Sequence, residues 1–238
     1  MCCTIVLIHG AFAESSSWDG VIDPLVAEGH DVVAAANPLR GLASDAAMVS
    51  DLVRTIEGPV VLVAHSYGGA VMSNVDRDAG EIAGLVYVNA FAPEPGENCF
   101  GLAAMYPSSM LGEETARRVS RRDGTTDLYI APDSFHDIFC QDVPAPRAAL
   151  MATTQRPATQ EALTEPSGER PLWKDVPSWF LIGEEDRIIP AQLQRYMAER
   201  ARSQRTVAVE GASHAVAVSR PDAPVHPILE AAALRVAL

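Results

Sequence analysis

A chain of 238 residues, 48% of them hydrophobic, suits one α/β domain built around a single core. Its formal net charge of −13, from 31 acidic against 18 basic side chains, argues against a nucleic-acid partner or an anionic membrane surface. No apolar run can span a bilayer, and no charged n-region with a long apolar stretch precedes the first strand, so a cytoplasmic location is expected.

In chain order, Thr4–Ile8 reads as a buried strand, with Cys2 and Cys3 opening it as small apolar residues. His9-Gly10-Ala11-Phe12 forms the loop beyond it. Ser17 is placed to cap a helix through Glu28, stopped by Gly29, and Pro24 inside it demands a kink or a late start. A strand follows at Asp31–Ala36, then the loop Asn37–Gly41. A helix from Ser44 sets Met48, Leu52, Val53 and Ile56 on one face. Val60–Val63 is apolar and β-branched, as a strand covered on both faces should be, and runs directly into Ala64-His65-Ser66-Tyr67-Gly68-Gly69.

Leu85–Asn89 is the next strand. From about Pro93 to Lys174 the strand–helix rhythm breaks and prolines are frequent. This stretch reads as a small, mainly helical cap, residues 93–174, inserted into a core made of residues 1–92 and 175–238. Within it, Arg117-Arg118 and Arg121-Arg122 read as a solvated helix face. The rhythm resumes with a strand ending at Gly183 and a helix from Ala191 to about Arg202, marked by Leu193, Tyr196 and Met197. A last strand at Arg205–Val209 precedes Glu210-Gly211-Ala212-Ser213-His214.

The chemistry is carried by Ser66. A serine between a buried strand and a helix, flanked by small residues, is lifted above the sheet edge on a sharp turn where a base can reach it. The pattern is small-x-Ser-x-Gly, with Ala64 at the position of the first glycine. Such a serine needs a histidine as base and a carboxylate to fix that histidine's tautomer. Asp186 and His214 follow in the order serine, acid, base, each on a loop just past the carboxyl end of a strand. Of the neighbouring acids, Glu184 and Glu185 read as solvated loop, and Glu94 is a remoter candidate. Attack by Ser66 would build charge on a carbonyl oxygen; the expected donors to it are the backbone N–H groups of Ala11 and Tyr67. His9 is expected to brace its loop, and His136 and His226 to be structural or on the surface.

These segments, with Trp18, Gly29-His30-Asp31-Val32-Val33 and Leu85–Pro93, resemble the α/β-hydrolase superfamily. The resemblance is to its branch of plant-type methylesterases, hydroxynitrile lyases and bacterial esterase relatives. The resemblance implies a six-stranded, mostly parallel sheet with helices on both faces, beginning directly at the strand before the oxyanion loop. It also implies a serine carboxylic-ester hydrolase that forms an acyl-enzyme on a small, largely apolar ester. Lyases of this branch carry a threonine after the first histidine and a lysine after the catalytic one; here Gly10 and Ala215 stand there. Lactone or C–C bond hydrolysis on the same residues is the nearest alternative, and a non-catalytic ligand-binding protein on the same fold is another.

Substrate choice is expected to lie in the cap, with Phe12, Phe100, Tyr106, Phe135 and Trp173 as pocket candidates. Met105, Met110, Leu111, Tyr129 and Phe139 belong to the same apolar inventory, and Tyr67 is a further candidate. No metal-binding or nucleotide motif is present, so no metal and no cofactor is expected. The four cysteines are too sparse for a disulfide framework, and whether Cys99 pairs with Cys140 is open. An apolar cap could form a homodimer or close on the core.

Overall fold

The computed structural model describes residues 3–106, 109–110, 112 and 114–234; Cys2 and Leu111 lie outside them. Alternating strands and helices build the amino-terminal half: β1 (Thr4–Ile8), α1 (Asp19–Ala27), β2 (Asp31–Ala35), α2 (Leu42–Arg54), β3 (Pro59–Ser66), α3 (Tyr67–Ser73) and β4 (Glu81–Ala90). The segment after β4 holds α4 (Cys99–Ala104), β5 (Ala116–Ser120), β6 (Thr126–Ile130), α5 (Pro132–Phe139), α6 (Ala145–Thr154), β7 (Ala158–Thr159) and α7 (Gln160–Thr164). The rhythm then resumes with β8 (Ser178–Gly183), α8 (Ala191–Arg200), β9 (Arg205–Val209), α9 (Val216–Ser219) and α10 (Asp222–Ala233). None of the described helices is long and apolar enough to cross a membrane.

Six strands form one parallel sheet in the order β2-β1-β3-β4-β8-β9. Side chains alternate faces along a strand, and the core divides accordingly. Val61 and Val63 of β3, with Ile5, Leu7, Val86 and Leu181, pack against Trp18, Leu25 and Ile228 on the α1/α10 face. Val60, Leu62 and Ala64, with Val6, Ile8 and Tyr87, pack against Val49, Val53 and Met72 on the opposite face. Both faces of β3 are therefore covered, which is why its residues after Pro59 are uniformly buried.

Several boundaries differ from those read in the sequence. A short 3-10 turn, Ser15–Trp18, precedes α1, and the Ser17 hydroxyl donates to the Glu14 carbonyl at 2.7 Å instead of capping the helix. Helix α1 starts at Asp19, two residues beyond the expected cap, and Pro24 still lies inside it. Helix α2 begins two residues before Ser44, and its fully buried stripe is Leu42, Ala46, Val49 and Val53. Met48, Leu52 and Ile56 flank that stripe as partly buried side chains.

The segment between β4 and β8 is not only helical. It contains an antiparallel sheet, β5-β6-β7, and the arginine doublets lie in and beside β5, not on a helix. Asp123-Gly124 makes the turn, with Gly124 at φ 88°, and the Arg121 N–H donates to the Thr125 carbonyl at 2.9 Å. Arg121 and Arg40 both pair with the buried Asp127 of β6, at 2.8 and 2.7 Å, which fixes the hairpin to the loop after β2.

Candidate active site

Strand β3 ends on Ser66 with φ 55° and ψ −127°, a left-handed conformation rarely adopted by a residue with a Cβ, and α3 begins at the next residue. Close packing by glycines makes this turn possible. A Cβ on Gly10 would lie 2.5 Å from the Ser66 Cβ and 2.8 Å from the His65 carbonyl oxygen. One on Gly68 would lie 2.6 Å from the Ile8 carbonyl oxygen, so α3 could not approach β1.

Beyond β8 the chain turns back on the carboxylate of Asp186. Its Oδ1 accepts the N–H groups of Ile188 and Ile189, each at 2.8 Å. Its Oδ2 accepts the Gln194 amide at 2.9 Å and the Nδ1–H of His214 at 2.7 Å. Both side chains of the Asp186–His214 pair are fully buried. With Nδ1 donating, Nε2 of His214 is left as a lone-pair acceptor. Nε2 has no hydrogen-bond partner among the described residues, and the Ser66–His214 hydrogen bond is not formed in this structure.

Two polar side chains hold the His214 backbone in place. Asn89, at φ 44° near the end of β4, donates to the carbonyls of Ser213 and His214 at 2.8 and 3.1 Å and accepts the Gly183 N–H at 2.6 Å. The His65 Nε2–H donates to the His214 carbonyl at 2.9 Å, and the two imidazoles lie 4.5 Å apart. Phe139 of α5 sets its ring edge-on to His214 at 5.0 Å. Asn89, His65 and Gln194 escaped the sequence reading; for Asn89 and His65 the available signal was a polar residue inside an otherwise buried run.

A cavity of about 600 Å³ opens above Ser66. Ala11, Phe12, Tyr67, Phe100 and Tyr106 are among the residues that line it. The Ala11 N–H has no acceptor among the described residues, whereas the Phe12 N–H is committed to the Arg156 carbonyl at 3.1 Å. Tyr67 holds the first position of α3, where an N–H has no partner within the helix. Its hydroxyl does not reach out for a ligand: it donates to the buried Asp45 at 2.8 Å.

Two pocket candidates lie elsewhere. Phe135 is one helical turn behind Phe139 on the same face of α5 and is fully buried against it, with ring centroids 4.9 Å apart. Trp173 donates its indole N–H to the Pro93 carbonyl at 2.9 Å and carries Lys174 over its ring. Glu94 pairs with Lys174 at 2.5 Å, Glu184 pairs with Arg195, and Glu185 is exposed, so none of them meets His214. His9 donates from Nδ1 to the Gly10 carbonyl at 2.9 Å, His136 bonds the Val143 carbonyl, and His226 is exposed beside Glu230. Cys99 and Cys140 are separate buried thiols; burial pushes the Cys140 thiol up to about 12.

Burial also holds His65 well below the ordinary imidazole range, with the neighbouring His214 adding to the effect, and it lowers His9 in the same sense. Below a pH of about 6.5 the unfolded chain therefore binds more protons than the folded one. Stability from these two neutral rings is full above that pH and is lost as the pH falls. The urea midpoint is expected to drop between about pH 7.5 and about pH 5.5. His65→Gln, whose amide can still donate to the His214 carbonyl, should flatten that drop. An unchanged slope would count against it.

Ser66 thus stands strained between strand and helix under this pocket, and the buried Asp186–His214 pair lies on loops past the ends of two other strands of the same parallel sheet. The chain belongs to the alpha/beta hydrolase family, whose model matches residues 5–226. Among its relatives, methyl jasmonate esterase 1 of Vitis vinifera is 25% identical over 241 residues, 91% of each chain. The pyrethroid hydrolase of Sphingobium wenxiniae is 26% identical over 239 residues, covering 92% of this chain and 83% of that one. Of solved structures, polyneuridine aldehyde esterase superposes with a TM-score of 0.79 at 17% identity, covering 97% of this chain and 99% of the other.

Proposed function

We propose that the chain is a serine carboxylic-ester hydrolase working through an acyl-enzyme on a small, largely apolar ester. The observation that carries this is the strained Ser66 in a mostly apolar cavity that Ala11 and Tyr67 also line. Its esterase relatives agree in class.

In this reading, substrate binding brings Ser66 Oγ to His214 Nε2; hydrogen bonds of this kind are often long in the free protein and tighten in the complex. His214 takes the hydroxyl proton as Oγ bonds to the ester carbonyl carbon. The carbonyl oxygen becomes an alkoxide held by the N–H groups of Ala11 and Tyr67. Asp186 stabilises the imidazolium that has formed. As the tetrahedral centre collapses, the C–O bond to the alcohol breaks and His214 returns its proton to the departing alkoxide. A water then enters, gives a proton to His214 and attacks the acyl carbon, which frees the acid and restores Ser66.

Residues 93–174 serve as the cap in this scheme, since Phe100, Tyr106 and Leu128 close the cavity from that side. The lyase alternative is disfavoured by space. Any side chain at position 10 would run into Ser66, and no cation follows His214.

Rapid mixing with p-nitrophenyl acetate tests the reading. A burst of p-nitrophenolate equal to the enzyme concentration is expected, with acid quench trapping an acetyl group on the peptide that contains Ser66. No turnover of short esters and no adduct from folded protein would overturn it.

A further inference from the structure

The lining of the cavity is chemically mixed. Ser66, Ala11 and Tyr67 line it, its walls are mostly apolar, with Phe91, Leu128, Leu163 and Ile188 among them, and Arg118 and Gln160 line it as well. The small antiparallel sheet puts Arg118 there by its alternation: Ala116 and Arg118 of β5 line the cavity, whereas Arg117 and Val119 do not. Arg118 is directly opposite Leu128 of β6, which lines the cavity as well. On α7, Gln160 and Leu163 face it together, three residues apart.

Arg118 makes no ion pair with a carboxylate among the described residues, in a chain with 31 acidic side chains. Its guanidinium donates to the Gln160 Oε1, which turns the Gln160 amide N–H₂ outward as a second donor. Ser109, a further polar side chain of the lining, already donates to the Ile188 carbonyl at 2.8 Å. What remains is an exposed guanidinium with several N–H groups beside an amide donor. That set matches an anionic oxygen pair, and a planar guanidinium matches a carboxylate best. The rest of the surface repels such a ligand through its net charge, so a local cation is what would admit one.

We propose that Arg118 and Gln160 form a carboxylate subsite, and that the preferred substrates are half-esters: monoesters of dicarboxylic acids. The free carboxylate rests on Arg118, the methylene chain crosses the apolar walls, and the ester reaches Ser66. The inference rests on the ester-hydrolase reading and narrows its substrate class.

The test compares kcat/KM for a series of monomethyl dicarboxylates with methyl alkanoates of matched length, in wild type, Arg118→Lys and Arg118→Met. At the chain length that spans the cavity, the half-ester is expected to be favoured about tenfold in wild type. Arg118→Met should bring that ratio to about one, through the KM of the half-ester and not its kcat. Arg118→Lys should keep part of the preference. Equal values for charged and neutral esters at every length, or a preference that survives in Arg118→Met, would overturn the subsite while leaving the esterase reading intact. Turnover of neither series would instead count against the esterase reading. Calorimetric titration of suberate into wild type and Arg118→Met then decides the subsite alone: binding lost in the variant supports it, and binding equal in both or absent from both removes it.

Discussion

Ser66→Ala is expected to lower kcat on short esters by on the order of 10⁵- to 10⁶-fold while leaving the fold unchanged. The size follows from the loss of the attacking hydroxyl itself. The N–H groups of Ala11 and Tyr67 stay in place, so a small residual rate over water and unimpaired binding should persist. Alanine keeps the Cβ that meets Gly10, and with it the backbone at φ 55°, so the urea midpoint should move little. Steady-state rates and the denaturation curve measured side by side make the check. Turnover retained in the variant would show that the nucleophile lies elsewhere.

The second large effect is expected from Asp186→Asn, about 10³- to 10⁴-fold in kcat. The reason is the set of donors around the carboxylate. Two backbone N–H groups occupy Oδ1, and the Gln194 amide and His214 Nδ1–H share Oδ2. An asparagine that keeps its oxygen toward Ile188 and Ile189 must aim its N–H₂ at two donors. His214 then does best by moving its proton to Nε2, which leaves Nδ1 to accept and removes the base from the Ser66 side. The loss should appear in kcat with KM nearly constant, and burst amplitude should fall with acylation rate. A variant within tenfold of wild type would show that Asp186 does not set the tautomer.

The sheet was legible because its strands are short apolar runs bounded by turn residues, and the positions of Ser66, Asp186 and His214 at strand ends came with it. The β5–β6 hairpin was passed over for a reason that is also physical. Two arginine doublets suggest a solvated helix, and the Asp123-Gly124 turn just after them is a weaker cue unless the apolar alternation of Leu128 and Ile130 is weighed with it. Which way a side chain points was beyond reach. Tyr67 sits where expected, yet its ring turns to Asp45, because a buried carboxylate two elements away offers it an acceptor. Phe135 and Trp173 have the composition of pocket residues and are consumed by packing instead.

The segment between β4 and β8 grips the loop that carries His214. The Ala215 N–H donates to the Phe139 carbonyl at 3.1 Å, and the Ser213 N–H to Asp142 at 3.2 Å. These contacts bracket the histidine on both sides, and the Phe139 ring rests against it. Grafting this segment from a relative, in the hope of importing that relative's selectivity, would also exchange the vice that aims the imidazole. Under the proposed function, selectivity and rate are therefore not separable modules, and a chimera has to carry residues 139–142 and 213–215 together.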